Sequence, residues 1–358
     1  MTAGPPPDGV VGPPDPGASQ PHNVLPLDLP ESAAPEPAGR PPARSPGLFR
    51  FSIEGRRAPG LFVAGWLATV VGVAAAIVGS FAGPTLAGAS SFIVGLGVSF
   101  AGLLLLGGSQ TIERRAAGVA YAGPSPVLVF VATIAAIYLT VVVIATPLDL
   151  LRANISGAAL SLFGVSLQGL AVIIVLRLLV VGPGALSWRE MGLIPDVRLA
   201  IRDLAWGALF AVPIVLATAV GVRILVQLLG ASPASPLPPT GTSIGLLVNL
   251  LAGAVVAPIS EELLFRGFAT TSWSRMIGPV RAIVRTSLVF ALAHAIDQQG
   301  ATFVEGLAVA SVAAAARLPV AFALGWVFVR RRSLWAAIGL HATFNAILIV
   351  VAETALRG

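Results

Sequence analysis

The stretch 258-PISEELLFRGF-268 closes a long apolar run that begins near residue 243. Two adjacent glutamates, Glu261 and Glu262, and Arg266 stand there on what the surrounding pattern predicts to be a membrane-spanning helix. A charged side chain inside a bilayer is costly, so it marks a functional site by default. The bland alternative is a helix end at the water interface. Which holds depends on what the rest of the chain places at the same depth.

The 358 residues are 56% apolar and only 11% charged, with a mean hydropathy of +0.90. Soluble domains carry about 25% charged residues. A water-facing surface cannot be built from so few charges, and an all-α polytopic membrane protein is expected. No lysine occurs, so all 22 basic residues are arginines, and the arginine, alanine and glycine bias fits a GC-rich bacterial genome. The net charge of +6 encodes orientation in the membrane before it encodes a nucleic-acid partner, and none is expected. The absence of cysteine excludes disulfides, thiol catalysis and cysteine-ligated metals. His22, His294 and His341 are the only histidines.

Residues 1–48 hold about half of the 29 prolines and show no apolar period. Such a segment cannot bury enough surface to offset chain entropy, and a disordered cytoplasmic tail is expected. It lacks the short apolar core of a secretory signal. Beyond it, apolar blocks of spanning length lie near 60–82, 88–108, 125–146, 157–182, 204–229, 243–265, 281–297, 306–329 and 334–353. The simplest reading is nine crossings, with N-terminal transmembrane helices over 49–230 and a C-terminal core over 243–353. The seventh and eighth blocks are weak. The seventh is short, and the eighth contains Arg317 and Pro319, so a re-entrant or interfacial piece around 301–316 is an alternative that lowers the count to eight or fewer.

Arginines cluster in alternate connections: 56–57, 114–115, 189–202, 266–285 and 330–332. The connections 83–87 and 230–242 carry no charge. The positive-inside rule therefore predicts a cytoplasmic N-terminus and an external C-terminus in a multi-pass cell-membrane protein. Arg177, near a helix end, is expected to snorkel. The segment 187-SWREMGL-193 reads as an interfacial or amphipathic loop.

Depth then answers the opening question. At 1.5 Å per residue, Glu262 lies about 6 Å inward of Arg266, while His294 and His341 each lie about 14 Å inward of Arg285 and Arg332. Three helices thus carry Glu, His and His below the same membrane face. Glu262 and Arg266 are four residues apart and can pair, whereas Glu261 is rotated by about 100° and faces elsewhere. His341 and Asn345 share one face, as do Phe290 and His294. A carboxylate among imidazoles, an amide donor and an apolar wall suits activation of a water and stabilisation of an oxyanion.

The three blocks E-E-x-x-x-R (Glu261–Arg266), F-x-x-x-H (Phe290–His294) and H-x-x-x-N (His341–Asn345) resemble the CPBP, or ABI, family of intramembrane endopeptidases, which includes the CAAX prenyl proteases. The resemblance covers roughly 243–352. It implies that Glu261 activates the water with help from His294, that His341 and Asn345 hold the oxyanion, and that Glu262 and Arg266 orient the site beside Phe290. The stretch 301–318 departs from the family pattern, with Arg317 in an unexpected place. Expected partners are a membrane-associated protein or peptide substrate and the lipid bilayer. A non-catalytic scaffold or regulator and a proton-coupled transporter are the competing classes. A metal-independent mechanism is favoured, because no helix carries two histidines four apart. Zinc or another divalent metal, if bound, would take Glu261, His294 and His341.

Overall fold

A computed structural model describes residues 51–358 except 84, 151–156, 234, 236, 297 and 358, with the backbone alone for 145–150. The tail over 1–48 and His22 lie outside the described residues. What is described is all-helical: α1 (Pro59–Phe81), α2 (Leu86–Ala116), α3 (Pro126–Leu150), α4 (Gly157–Leu176), α5 (Val197–Ala208), α6 (Ala211–Leu229), α7 (Ser243–Leu250), α8 (Ala257–Glu262), α9 (Thr271–Ile277), α10 (Pro279–Ala293), α11 (Phe303–Arg331) and α12 (Leu334–Arg357). π-helical segments Leu251–Val256 and Leu263–Thr270 join α7, α8 and α9 into one continuous rod, and a third, Arg177–Val181, extends α4.

Among the described residues, eight helices are long and apolar enough to cross a membrane. The predicted seventh crossing is the exception. α10 has 15 residues, about 22 Å at 1.5 Å per residue, and ends at Ala293 instead of running to 297. The alternative of a re-entrant piece over 301–316 is not what forms. α11 runs unbroken for 29 residues through Pro319. Its start is fixed by Thr302, whose side chain accepts from the Glu305 N–H, as Thr85 and Thr242 do for α2 and α7. The predicted fifth span divides instead. Pro213 in the first turn of α6 has no N–H to continue the ladder, and the chain bends between α5 and α6 at Leu209–Phe210.

Contacts between connections sort the helix ends into two faces. Arg56 pairs with Glu113, Glu190 with Arg275 and Asp203 with Arg331, while Leu334 N–H donates to Gly192 O and Trp335 to Ile194 O. All of these lie at the arginine-rich end. At the other end Glu353 accepts from the Thr240 N–H and hydroxyl. Helices α7–α9 and α12 are therefore antiparallel.

Small residues set the closest crossings. A Cβ on Gly72 would overlap the Ser99 backbone, and one on Gly95 the Ala76 backbone, so α1 and α2 pack backbone to backbone. α5 and α12 cross in the same way, where a Cβ on Gly207 would meet Ala336 O and one on Gly339 the Leu204 backbone. That second crossing fixes the height of α12 two residues before His341.

Candidate active site

The paired glutamates lie at the end of α8, between two π-helical segments. In the π register a residue's N–H bonds the carbonyl five residues back. Five residues before Pro258 is Gly253, and proline offers no N–H, so the Gly253 carbonyl needs another donor. Asn345 supplies it, its Nδ2 donating to Gly253 O at 2.8 Å. One N–H of the amide that the sequence suggested as an oxyanion donor thus ties α12 to the rod, and the other remains.

Glu262 and Arg266 are both fully buried, 0% exposed, and pair at 2.9 Å. Arg266 also donates from Nη2 to Ala321 O of α11 at 3.2 Å, and its guanidinium lies 4.5 Å from the centre of the Phe290 ring. The same Glu262 Oε1 receives His341 Nδ1 at 2.7 Å. A carboxylate held by an arginine accepts, so Nδ1 carries a proton and Nε2 is turned toward Glu261.

His294 reaches the same state by a different route. It is the C-cap of α10, and its backbone N–H turns to Ala291 O, leaving Phe290 O without its usual helical donor. The His294 ring takes that carbonyl through Nδ1 at 2.9 Å. A carbonyl accepts only, so Nδ1–H is again fixed and Nε2 is turned toward Glu261.

Both Nε2 atoms face one atom. Glu261 Oε2 lies 3.8 Å from His294 Nε2 and 3.8 Å from His341 Nε2. That oxygen is buried and has no hydrogen-bond donor from the protein. The site still opens outward, since the Glu261 and His294 side chains are 29% and 26% exposed. Phe290 is fully buried behind it, its ring centre 4.5 Å from that of His294 and 5.9 Å from that of His341.

Three groups predicted on separate helices, Glu261 with Glu262, His294 and His341, therefore meet, and Arg266 and Phe290 back them. The family model described as Type II CAAX prenyl endopeptidase Rce1-like matches residues 243–347. The C-terminal part of the chain is a CAAX-protease-family domain. Searches of the curated proteins and of the solved structures found no match to the chain. The matched CAAX-protease region runs from the first residue of α7 to two residues past Asn345 and contains every residue of the cluster. Helices α1–α6 lie outside it, yet α5 sets the height of α12 through Gly207.

The CAAX-protease domain's partners that the sequence did not suggest are backbone carbonyls, Gly253 O and Ala321 O. Zinc would use the same His, His and Glu atoms. In a tetrahedral site with bonds of about 2.0–2.1 Å, ligand atoms lie about 3.3 Å apart. Here Glu261 Oε2 is 3.8 Å from each Nε2. Among the described residues no group of three or more His, Cys, Asp or Glu is placed to hold a metal ion. As positioned, the donor set does not fit zinc.

Proposed function

We propose that the chain is an intramembrane endopeptidase that hydrolyses a peptide bond in a membrane-associated protein or peptide. The observation that carries this reading is Glu261 Oε2, a buried carboxylate oxygen without a protein donor, flanked by two imidazole Nε2 atoms. A buried polar atom left unsatisfied costs about 1–3 kcal/mol. The atom that satisfies it must bring protons, and three convergent acceptors suit a water.

Two atoms 3.8 Å apart are bridged by one water at hydrogen-bond distance of about 2.8 Å from each, with an angle near 90° at its oxygen. Such a water donates one proton to Glu261 and the other to a histidine Nε2. An oxygen lone pair then remains for a substrate carbonyl carbon. As the oxygen–carbon bond forms, Glu261 takes the water's proton, and it returns that proton to the leaving amine nitrogen when the carbon–nitrogen bond breaks. Glu262 and Arg266 keep His341 in the required tautomer, Phe290 O does so for His294, and Asn345 braces the rod.

The arginine-rich face is assigned to the cytoplasm by the positive-inside rule, and on that assignment the reacting water lies near the cytoplasmic leaflet. The test compares membrane-protein termini in cells carrying the wild type and Glu261→Gln. The variant keeps the size and the acceptor oxygen but not the base. Specific uncleaved membrane proteins are expected to accumulate, and an unchanged set of termini, with both proteins present at equal levels, refutes the proposal.

A further inference from the structure

Residues 237-LPPTGT-242 belong to no helix, yet they reach into the membrane-spanning part of the fold. A Cβ on Gly253 would overlap the side chains of Leu237 and Ile349, so Leu237 stands where the rod and α12 meet. Gly253 is ten residues from the start of α7 (253 − 243). That is about 15 Å at 1.5 Å per residue, half of a hydrocarbon core of about 30 Å. Irregular backbone at such depth persists only where the protein satisfies its polar groups. Here it does. Pro238 and Pro239 have no N–H to satisfy. The Leu237 carbonyl accepts from the Ser235 hydroxyl at 2.9 Å and the Pro238 carbonyl from Asn249 Nδ2 at 3.0 Å. The Thr240 N–H donates to Glu353 Oε2 at 2.8 Å, and Glu353 Oε1 takes the Thr240 hydroxyl at 3.2 Å. Asn249 and Glu353 are 2% and 1% exposed. Two side chains that are costly in spanning helices are thus given over to holding this strap.

What the strap closes is read along the two helices. Gly253 is eight residues from Glu261 on the rod, and Ile349 is eight residues from His341 on α12 (261 − 253 and 349 − 341). Each span is about 12 Å at 1.5 Å per residue. Leu237 therefore stands at one height above both halves of the cluster, at the outer end of the seam between the rod and α12. Asn345 lies midway along that seam, with one N–H bonded to Gly253 O and the other remaining. The Leu237 side chain and the Asn345 amide meet on the same glycine.

We infer that Leu237 is a positioning residue for the hydrolysis proposed above, a stopper that closes the seam on the side away from the arginine-rich face and keeps water off Asn345. The inference rests on that hydrolytic reading. Asn249 and Glu353 hold the stopper down, and Leu237 acts through Gly253 and Asn345 without touching the substrate. An N–H that meets a developing negative charge does so more strongly where no water competes. Water admitted between Leu237 and Ile349 would compete for Gly253 O and release the Asn345 amide from its fixed orientation. With the seam closed, the reacting water arrives on the side where Glu261 and His294 are exposed.

The experiment uses the full chain in lipid nanodiscs, where both membrane faces meet water and orientation does not matter. Ile349→Cys places a thiol beside Leu237 in a chain that has no other, and a charged maleimide reacts with it only where water supports the thiolate. With the strap intact, labelling should be slow. Adding Leu237→Ala or Glu353→Ala should speed it about tenfold or more through local opening, whereas Leu237→Met, which fills the same space, should not. Cleavage is read without the cysteine, on an internally quenched fluorescent peptide taken from a library of apolar sequences because the wild type cleaves it. Leu237→Ala should lower kcat about tenfold, less than the 10²–10³-fold of losing an oxyanion donor outright, with KM within about threefold of the wild type. Equal labelling with the strap intact and broken, fast or slow, overturns the inference. So does faster labelling with kcat unchanged, a loss confined to KM, or a fall in kcat that Leu237→Met shares. Should no library peptide be cleaved by the wild type, or should Glu261→Gln cleave equally well, the hydrolytic reading itself fails, and labelling alone still decides whether the strap seals the seam.

Discussion

The Glu262–Arg266 pair can be tested by a double-mutant cycle. Both side chains are 0% exposed and meet at 2.9 Å, and Glu262 Oε1 also accepts from His341. Glu262→Gln keeps an acceptor for His341 but leaves the Arg266 guanidinium buried without a counter-charge. Arginine cannot shed its proton, so the full penalty of about 3–5 kcal/mol for stranding a buried charge is expected. Arg266→Met strands a carboxylate instead. That group can be balanced by a protonated His341 or can itself take up a proton, so a smaller loss is expected. The double variant removes both charges from an apolar surround lined by Phe265 and Phe290. It should be more stable than Glu262→Gln alone. Stabilities would be read from denaturation in mixed micelles, with folding and unfolding shown to be reversible. A coupling energy below about 0.5 kcal/mol, the scatter of independent sites, would refute the account of the pair as one buried unit. Hydrolysis offers an independent check: the double variant keeps an acceptor for His341 Nδ1 but loses the guanidinium that holds this acceptor in place, so cleavage should fall even where stability recovers.

Three further outcomes follow from the geometry. Gly339→Val should cost about 1–3 kcal/mol or more through overpacking and should also reduce hydrolysis, because the Leu204 backbone fills the space a side chain needs and His341 lies two residues on; thermal unfolding and peptide cleavage measure the two effects. At Glu190, burial raises the carboxyl pKa, but hydrogen bonds from Arg275 and Ser187 outweigh it and hold it below the ordinary carboxylate range. A depressed folded value contributes stability above the unfolded pKa that is lost as pH falls through the folded one, so Glu190→Gln should flatten the acid limb of a stability–pH profile. For orientation, Ser235→Cys should react with an impermeant maleimide on intact cells, whereas Arg198→Cys should react only after lysis; the reverse pattern would overturn the cytoplasmic assignment of the arginine-rich face.

Much of the architecture was legible because a bilayer imposes a length on each helix and a charge bias on each connection. The blocks at 60–82, 157–182 and 334–353 match α1, α4 with its π-helical extension, and α12 to within a few residues. The misses share one cause. Apolarity reports that a segment avoids water, not where its backbone ladder ends. α10 stops at Ala293 although Ala295 and Ile296 continue the apolar run, because His294 caps the Phe290 carbonyl with its own ring. Pro319 argued for a break in α11, yet the helix continues through it, packed against α10 and α12 and tied to Arg266 at Ala321 O.

The cluster was legible for a related reason. Glu261, Glu262, His294 and His341 are expensive in an apolar helix, so their positions carry information, and a place below one membrane face on three helices left few ways to satisfy them except one another, although Arg266, from which the depth of Glu262 was counted, is itself buried. Their partners were not legible in the same way. That Asn345 donates one N–H to the chain depends on the Gly253 carbonyl being free, and that depends on a π register in which Pro258 falls five residues later. No spacing of side chains reports a backbone register. The same limit explains Arg317, whose odd position was visible but whose neighbours were not. A costly residue announces in the sequence that it has a partner or a purpose. Only the fold shows what holds it: Arg266 is fixed between Glu262 and Ala321 O, beneath the Phe290 ring.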